Sequence, residues 1–478
     1  MSNTKGMLLW AWTTLLLGSL LWPLAAPGEL LLRDMAVVDD PALSLNALGF
    51  GDLPSRNAPQ DGALALLGFV PVSWVVRILL FAAGLAGAWG AMQLGRAQFV
   101  AVTIAIYNPF AVERLLQGHW SLVMAAWLLP VIVALRKHPR AQIVAMWVAS
   151  LTPTGAVIAA VVAMATSRRR LLTLIFALLS WLPWLVPALL APPTSGGALA
   201  FAIRAEAQAG TVGTALGLGG IWNVAAVPAS REAGFTLFGI LLFGVLLLGV
   251  RNCPWPLLAL ALVGFAGSLG SWLLPEIFSW TVSYVPGAAL FRDSQKLLML
   301  AIPAYVAMAA GLKKPLEWVA VALALLQIPD APREMSVLQP VQGQGHDAEL
   351  VDLAGGRDVF IVEAPTLILR DDGLPVVDPR SKALSLVESG ELRVDGMITD
   401  APSRRWSEAT TAWRAGDLQR LEDLGIGVVI DGDQIVETGA GPQRGWRFYL
   451  GLGLTVFWMV LPLGLFGVRG RRKKPAAH

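Results

Sequence analysis

Apolar runs divide this chain. Stretches at roughly 7–27, 69–93, 120–135, 171–192, 235–250, 255–274, 297–311, 316–329 and 446–468 hold few or no charged residues. A helix of about 20 apolar residues spans a bilayer. A shorter run, 97–108, ends at Tyr107-Asn108-Pro109. Pro109 lacks a backbone donor and turns Asn108 away from helix, so a break is expected there. The run 141–167 is interrupted by Thr152-Pro153-Thr154-Gly155 and has basic clusters at both ends. It is expected to enter and return as two short helices. Together the runs predict about 12 membrane segments.

The longest break in the apolar pattern is the polar block 331–444. DVFIVEA reads as a buried strand. AWRAGDLQRLEDLGIGVVID reads as a helix capped by Gly425, then a strand. The predicted fold is therefore mainly α and polytopic, with one small α/β domain. The expected organisation is a multi-pass domain over 1–330 with an acidic first loop at 28–68, the α/β domain at 331–444, and a final helix with a basic tail at 445–478.

Composition agrees with that pattern. Of 478 residues 55% are hydrophobic and 14% charged, with a mean hydropathy of +0.62. Soluble domains carry about a quarter charged residues. The 19 Trp against 4 Tyr suit interfacial anchoring. Cys253 is the single cysteine, which excludes an intrachain disulfide. The N-terminal run is longer than a signal peptide, is studded with Trp10, Trp12 and Trp22, and reads as a first membrane helix.

The net charge of +3 conceals segregation. The block 331–444 holds 11 Lys and Arg against 20 Asp and Glu, a net of −9. Alternate connections collect the basic residues Lys5, Arg96, Arg136 to Arg140, Arg168 to Arg170, Arg251, Lys313-Lys314 and Arg469 to Lys474. The positive-inside bias puts these connections, and both termini, in the cytoplasm. The first loop, the segment ERLLQGHW, the FRDSQK loop and 331–444 then lie on the extracytoplasmic side.

The first loop is the richest in candidate chemistry. It carries Asp34, Asp39, Asp40, Asp52 and Asp61, balanced by Arg33 and Arg56 alone. Carboxylates held against a membrane are costly unless they have a role. No phosphate-binding GxxxxGK[ST] loop, no GxSxG and no His or Cys cluster of metal-ligand spacing occurs; ALGLGG at 215–220 and QGQG at 342–345 lack a strand–turn–helix setting. A divalent metal is compatible with the chemistry but nothing indicates one. Nucleic acid has no support, because the basic residues are cytoplasmic and the aromatics interfacial.

Activated donors outside the cytoplasm are lipid-linked, such as sugars on a polyprenyl phosphate. Transfer needs a carboxylate to take the acceptor proton and fixed positive charge on the departing phosphate. Asp40, Asp39 and Asp34 are the candidate bases, with Asp61 beside them. Asp40 is favoured because Pro41 holds it extended and Asp39 raises its proton affinity. Asp34 is the reserve, weakened by neighbouring Arg33. Arg292, Lys296 and Arg33 are candidates for the donor phosphate, the first two expected on one helix face. Glu113, Arg114 and His119 complete the set. Each has a plainer reading: Asp39-Asp40 as a loop or helix cap, Glu113-Arg114 as an interfacial pair, FRDSQK as helix-start anchors, His119 as an interfacial residue. Arg77 is expected to snorkel to the surface.

RDMAVVDDP, PQD, YNPFAVERLLQGHW and FRDSQK, in that order, resemble a group of actinobacterial multi-pass membrane proteins. These in turn resemble the GT-C class of lipid-phosphate-sugar-dependent glycosyltransferases, in particular arabinofuranosyltransferase-like members. The resemblance implies short broken helices and a catalytic Asp in the first extracytoplasmic loop. Its partners would be a polyprenyl-phosphate-linked sugar donor, a glycan or glycolipid acceptor and membrane lipid. In this chain the acidic pair Asp39-Asp40 is adjacent rather than separated by one residue, which leaves Asp34, Asp39, Asp40 and Asp61 all open as the base. Two other classes remain: a non-catalytic envelope-assembly protein and, less supported, a lipid or glycan transporter, for which no internal repeat is present.

Overall fold

The computed structural model describes residues 3–191, 197–342, 348–394 and 396–467. His346, most of QGQG and the basic tail with Arg469 to Lys474 and His478 lie outside the described residues. The first fifteen helices in chain order are α1 (Asn3–Leu21), α2 (Gln60–Leu66), α3 (Val72–Met92), α4 (Gln98–Ile106), α5 (Pro109–Gln117), α6 (Trp120–Ala134), α7 (Pro139–Ala149), α8 (Pro153–Thr166), α9 (Arg170–Leu190), α10 (Gly210–Leu216), α11 (Thr236–Leu247), α12 (Trp255–Leu273), α13 (Pro275–Tyr284), α14 (Ile302–Ala310) and α15 (Leu316–Leu326).

Among the described residues, seven segments are long and apolar enough to cross a membrane: Thr4–Ala25, Val72–Met92, Gln98–Gln117, Trp120–Lys137, Arg170–Leu190, Trp255–Leu273 and Trp446–Leu463. The expected count was higher. Several apolar runs fold as shorter helices instead, such as α7 and α15 with 11 residues each. At 1.5 Å per residue, such a helix is only ~16 Å long, about half a hydrocarbon core. The run 141–167 does form two helices, α7 and α8.

The helices pack by close approach. α3 lies along α6, where a methyl group on Gly87 or Gly90 would meet Trp127 or Val131 backbone at 2.5 Å. Small residues of this kind draw membrane helices together. The segment Gln98–Gln117 is 94% buried, whereas Trp255–Leu273 and Trp446–Leu463 are 28% buried and turn apolar side chains outward. Outward faces of that composition suit lipid. The break at 107–108 is present: Asn108 is extended, and its Oδ1 accepts the Ala111 amide at 3.0 Å to cap α5.

Arg77 does not snorkel. It is buried, its Nε donates to Leu24 O at 2.7 Å, and its Nη2 donates to the Ala26 and Gly28 carbonyls. The carbonyls left open where the first helix ends supply the acceptors. They fix the start of the first loop.

That loop opens with a hairpin, β1 (Leu30–Leu32) and β2 (Met35–Val37), paired antiparallel. The remaining strands belong to the polar block: β3 (Asp358–Ile361), β4 (Leu367–Leu369), β5 (Pro375–Val377), β6 (Ser385–Leu386), β7 (Leu392–Val394), β8 (Met397–Asp400), β9 (Ile426–Asp431) and β10 (Gln434–Glu437). Its main sheet has the order β10-β9-β3-β6, with β3 parallel to both β9 and β6. The expected single helix before Gly425 is two, Arg404–Arg414 and Leu418–Asp423, because Gly416 takes a positive φ and Asp417 caps a new start.

The polar block and the first loop touch. Backbone bonds link Arg33 to Pro375 and Val377, and Ala42 to Lys382. Arg370 donates to Leu31 O at 2.6 Å, and Asn46 to Leu386 O at 2.8 Å.

Candidate functional site

Arg33 and Asp34 form the two-residue turn between β1 and β2. Arg33 takes φ +48°, the left-handed region. The turn is held from below by the end of α5. The Gln117 carbonyl accepts the Asp34 amide at 3.1 Å. Gly118 follows with φ +89°, and a methyl group there would lie 2.4 Å from Leu32 O and Met35 N. Only glycine supplies both the conformation and the clearance. The chain then reaches His119 beside the hairpin tip.

The Asp34 carboxylate accepts two bonds on Oδ2, from Gln117 Nε2 at 2.8 Å and His119 Nε2 at 3.0 Å. Arg114 Nη1 lies 3.2 Å from His119 Nδ1. A guanidinium can only donate, so Nδ1 is the acceptor and the proton of the neutral ring sits on Nε2, facing Asp34. Among the described residues nothing bonds Asp34 Oδ1, and the side chain is 43% exposed.

Electrostatics sharpen the contrast between the two partners. Burial alone would raise the Asp34 carboxyl. Hydrogen bonds from His119 and Gln117 and the Lys296 charge outweigh it and hold the carboxyl below its ordinary range. Burial lowers the His119 pKa, with Arg114 and Lys296 adding to it against the pull of Asp34, so the imidazole stays neutral. Its two nitrogens are both engaged, so it positions Asp34 rather than acting as a free base.

Behind His119 lies a buried charge network. Arg114 pairs with Asp293 through both guanidinium nitrogens and with Gln295 at 2.5 Å. Gln295 Nε2 donates to Glu113 Oε2 at 2.6 Å, and so does the Ile221 amide at 3.0 Å. Arg231 bridges Glu113 at 3.5 Å and Glu206 at 2.7 Å, all three fully or almost fully buried. A methyl group on Gly219 would lie within 2.8 Å of Arg231, Glu206 and Glu113 atoms. ALGLGG (215–220) is thus the stretch whose end lets backbone amides reach two buried carboxylates: Gly220 N donates to Glu206 Oε1 at 3.1 Å. Glu113 and Arg114 are therefore not an interfacial pair; each has its own counter-charge.

At the outer edge, Arg292 is bidentate to Asp400 at 2.6 and 2.8 Å and stacks 4.2 Å over Phe201. Arg56 approaches the same carboxylate at 3.6 Å. The Lys296 ammonium makes no hydrogen bond or ion pair among the described residues, and its charge acts on Asp34 and Asp293. Arg292 and Lys296 do not share a helix face. Asp293 between them is extended, and Ser294–Ala301 is a 3-10 helix that starts after Arg292.

The other candidates are engaged elsewhere. Arg33 turns away from Asp34 to donate to the Leu116 carbonyl and, at 2.6 Å, to Ala225 O; it is buried and cannot reach a phosphate at the tip. Asp39 Oδ1 accepts the Ser73 amide at 2.9 Å at the start of α3; the cap is on this distant helix and not on a helix at PALSL, which is not helical. Asp40 is exposed beside it. Asp61 pairs with Lys382 at 2.8 Å in the polar block. Asp52 accepts the Glu388 amide at 3.3 Å and faces Arg405 at 3.7 Å. The structure thus gathers Asp34, His119, Lys296, Arg114 and Glu113, and separates them from Asp39, Asp40 and Asp61. Gln117, Asn223 (whose Nδ2 donates to Gln117 Oε1 at 2.7 Å), Gln295, Glu206, Arg231 and Asp400 belong to the assembly without having been singled out in the sequence, and Arg56 was read there only as a balancing charge. QGHW and FRDSQK were the available signals for the first and third. Among the described residues no group of three or more His, Cys, Asp or Glu could hold a metal ion.

An open carboxylate oxygen within the field of an ammonium that makes no ion pair among the described residues suits a neutral hydroxyl and an anionic group together. Comparison with known proteins adds nothing to this geometry: no family model matches the chain, and no curated protein or solved structure matches it.

Proposed function

We propose that this protein is a GT-C-type membrane glycosyltransferase, moving a sugar from a polyprenyl-phosphate donor to a glycan or glycolipid acceptor. The observation that carries this reading is Asp34: one oxygen clamped by Gln117 and His119, the other open, within the field of Lys296. Asp34 orients the acceptor hydroxyl. As the acceptor oxygen bonds to the anomeric carbon, the bond from that carbon to the phosphate oxygen breaks, and the hydroxyl proton passes to Asp34. Lys296 stabilises the charge gathering on the departing phosphate. A carboxylate of depressed pKa is a weak base, so it takes the proton late, when the hydroxyl has become acidic by bonding to carbon. His119 holds the carboxylate in place and stays neutral.

Sidedness belongs to the same reading. With the basic connections in the cytoplasm, the first loop and 331–444 face outward, where lipid-linked donors are available. A topology reporter at residue 390 that reads cytoplasmic overturns this arrangement. The direct test is transfer from a polyprenyl-phosphate sugar by purified protein in nanodiscs. Asp34→Asn keeps the hairpin and is expected to slow transfer by about 100- to 10,000-fold. Full activity in a folded Asp34→Asn protein refutes the assignment, and a non-catalytic assembly protein would tolerate it.

A further inference from the structure

Two guanidinium groups converge on a single carboxylate at the edge of this site. Arg292 grips both Asp400 oxygens, at 2.6 and 2.8 Å, and Arg56 stands 3.6 Å from one of them. The Arg292 guanidinium sits over the Phe201 ring, 4.2 Å from its centroid. The Arg56 side chain remains 55% exposed, while that of Asp400 is 14% exposed. One carboxylate therefore pairs with two guanidinium groups; Asp34 acts on Arg56 without an ion pair between them, and Lys296, within the field of Asp293 and Asp34, makes no ion pair of its own among the described residues. The two arginines repel each other across Asp400. A planar arginine fork binds carboxylate and phosphate oxygens by the same bidentate geometry. A phosphate brings more charge and a further acceptor oxygen than a carboxylate does.

We propose that Arg56 and Arg292 form an anion-binding fork for a phosphate group, and that the Asp400 carboxylate fills this fork and must be displaced when phosphate binds. The polar block thereby guards the site: its β8 strand ends in a built-in competitor. The inference deepens the transferase reading by giving the donor phosphate a second set of ligands beside Lys296, and it takes phosphate as the anion from that reading. Asp400 competes as a tethered group, for which effective concentrations are on the order of millimolar. Removing it should raise apparent phosphate affinity in proportion to the fraction of forks it fills.

The test uses the full chain in phosphatidylcholine nanodiscs, with inorganic phosphate as one probe and undecaprenyl phosphate in the nanodisc as the other. Asp400→Asn is expected to bind about tenfold more tightly, for a fork filled about nine-tenths of the time. Adding Arg292→Gln or Arg56→Gln should cancel the gain. Tightening for both probes assigns the fork to the phosphate group itself; tightening for the lipid alone assigns it to a membrane headgroup. Unchanged or weaker binding of both probes to Asp400→Asn overturns the proposal. Should that variant not fold, hydrogen exchange of the wild-type chain decides: saturating undecaprenyl phosphate should speed exchange at 397–400, and unchanged exchange overturns the fork. These readouts need no sugar transfer. A fork that binds phosphate in a chain without transferase activity leaves the fork and removes the reaction; transfer that proceeds with no effect at Asp400 does the reverse.

Discussion

The two halves of the first loop use the same residue type in opposite ways. At the hairpin tip, Asp34 has its lower oxygen bonded by Gln117 and His119 and its upper one open. Further along, Asp39 caps α3, Asp52 meets Glu388 and Arg405, and Asp61 meets Lys382. The second group joins pieces of the chain; the first presents a charge. The difference arises from what stands behind each carboxylate. Behind Asp34 is a buried network of charges anchored on α5, which orients it without neutralising it. Behind the others are the polar block and a helix terminus, which consume them. A dense acidic loop is thus one candidate site and three joints.

The largest expected effect comes from cutting the support behind the tip. Arg114 is buried and serves Asp293, Gln295 and His119 together. Arg114→Leu leaves Asp293 as a buried charge without its partner, and breaking such pairs costs about 3–5 kcal/mol. Thermal unfolding in detergent should show the chain strongly destabilised. A loss below about 1 kcal/mol would mean that water reaches Asp293, and the network would then be a surface feature.

A smaller effect, on the order of 1–2 kcal/mol after allowance for partial exposure, is expected where the polar block docks. Burial raises the Glu388 carboxyl to about 7, with Lys382 opposing and Asp52, Asp61 and Asp378 adding to it. The fold therefore holds this proton over a range where the unfolded chain, near 4.5, has lost it. Its contribution to stability is complete below about 4.5 and is lost as pH rises to about 7. The melting temperature should fall between pH 5 and pH 7.5, and Glu388→Gln should flatten that slope. An equal slope in the variant would place the titration elsewhere.

Much of this division was legible in the sequence, and the part that was not has a physical cause. Apolar runs marked the long helices because lipid contact leaves only composition to read. Proline and asparagine chemistry marked the break at 108, and a short apolar run marked DVFIVEA as a buried strand. The short helices were read as spans because apolarity reports burial without saying whether lipid or protein provides it. Arg33 and Asp34 were read as a mutually weakening pair, but a left-handed Arg33 sends its guanidinium to the Leu116 and Ala225 carbonyls. Asp34 is lowered all the same, by His119, Gln117 and Lys296. Those partners come from positions more than 80 residues away in the chain, as do Asp400 for Arg292 and Arg231 for Glu113. No local pattern contains such pairings. The ALGLGG stretch at 215–220 lacks a nucleotide-binding context, although its Gly219 is required for a different reason, the closeness of Arg231 and two carboxylates.

Capping predicts a more modest effect. Asp39 accepts the Ser73 amide at 2.9 Å, one of the donors left open at the start of α3. Asp39→Ala should cost about 1 kcal/mol in stability and leave transfer by the folded protein unchanged. A loss of transfer out of proportion to stability would return Asp39 to the candidate bases and erase the contrast between the halves of the loop.

The smallest effect is expected at Asp40, and it discriminates most sharply. Its position before Pro41 and beside Asp39 made it the favoured base from sequence, because a stiff turn and a repelling neighbour both suit proton transfer. In the fold Asp39 turns to the α3 terminus. Asp40 is exposed, and no ion pair or hydrogen bond joins its side chain to His119, Lys296 or Arg114 among the described residues. An exposed carboxylate with no cation beside it has nothing to bring a phosphate near. Surface changes of this kind usually stay within about 0.5 kcal/mol. Asp40→Asn should therefore melt with the parent chain and transfer sugar at the parent rate, measured beside Asp34→Asn in the same nanodiscs. If instead Asp40→Asn abolishes transfer and Asp34→Asn does not, the reacting centre lies at the α3 end of the loop, and the clamp of Gln117 and His119 on Asp34 is a structural joint like those at Asp52 and Asp61.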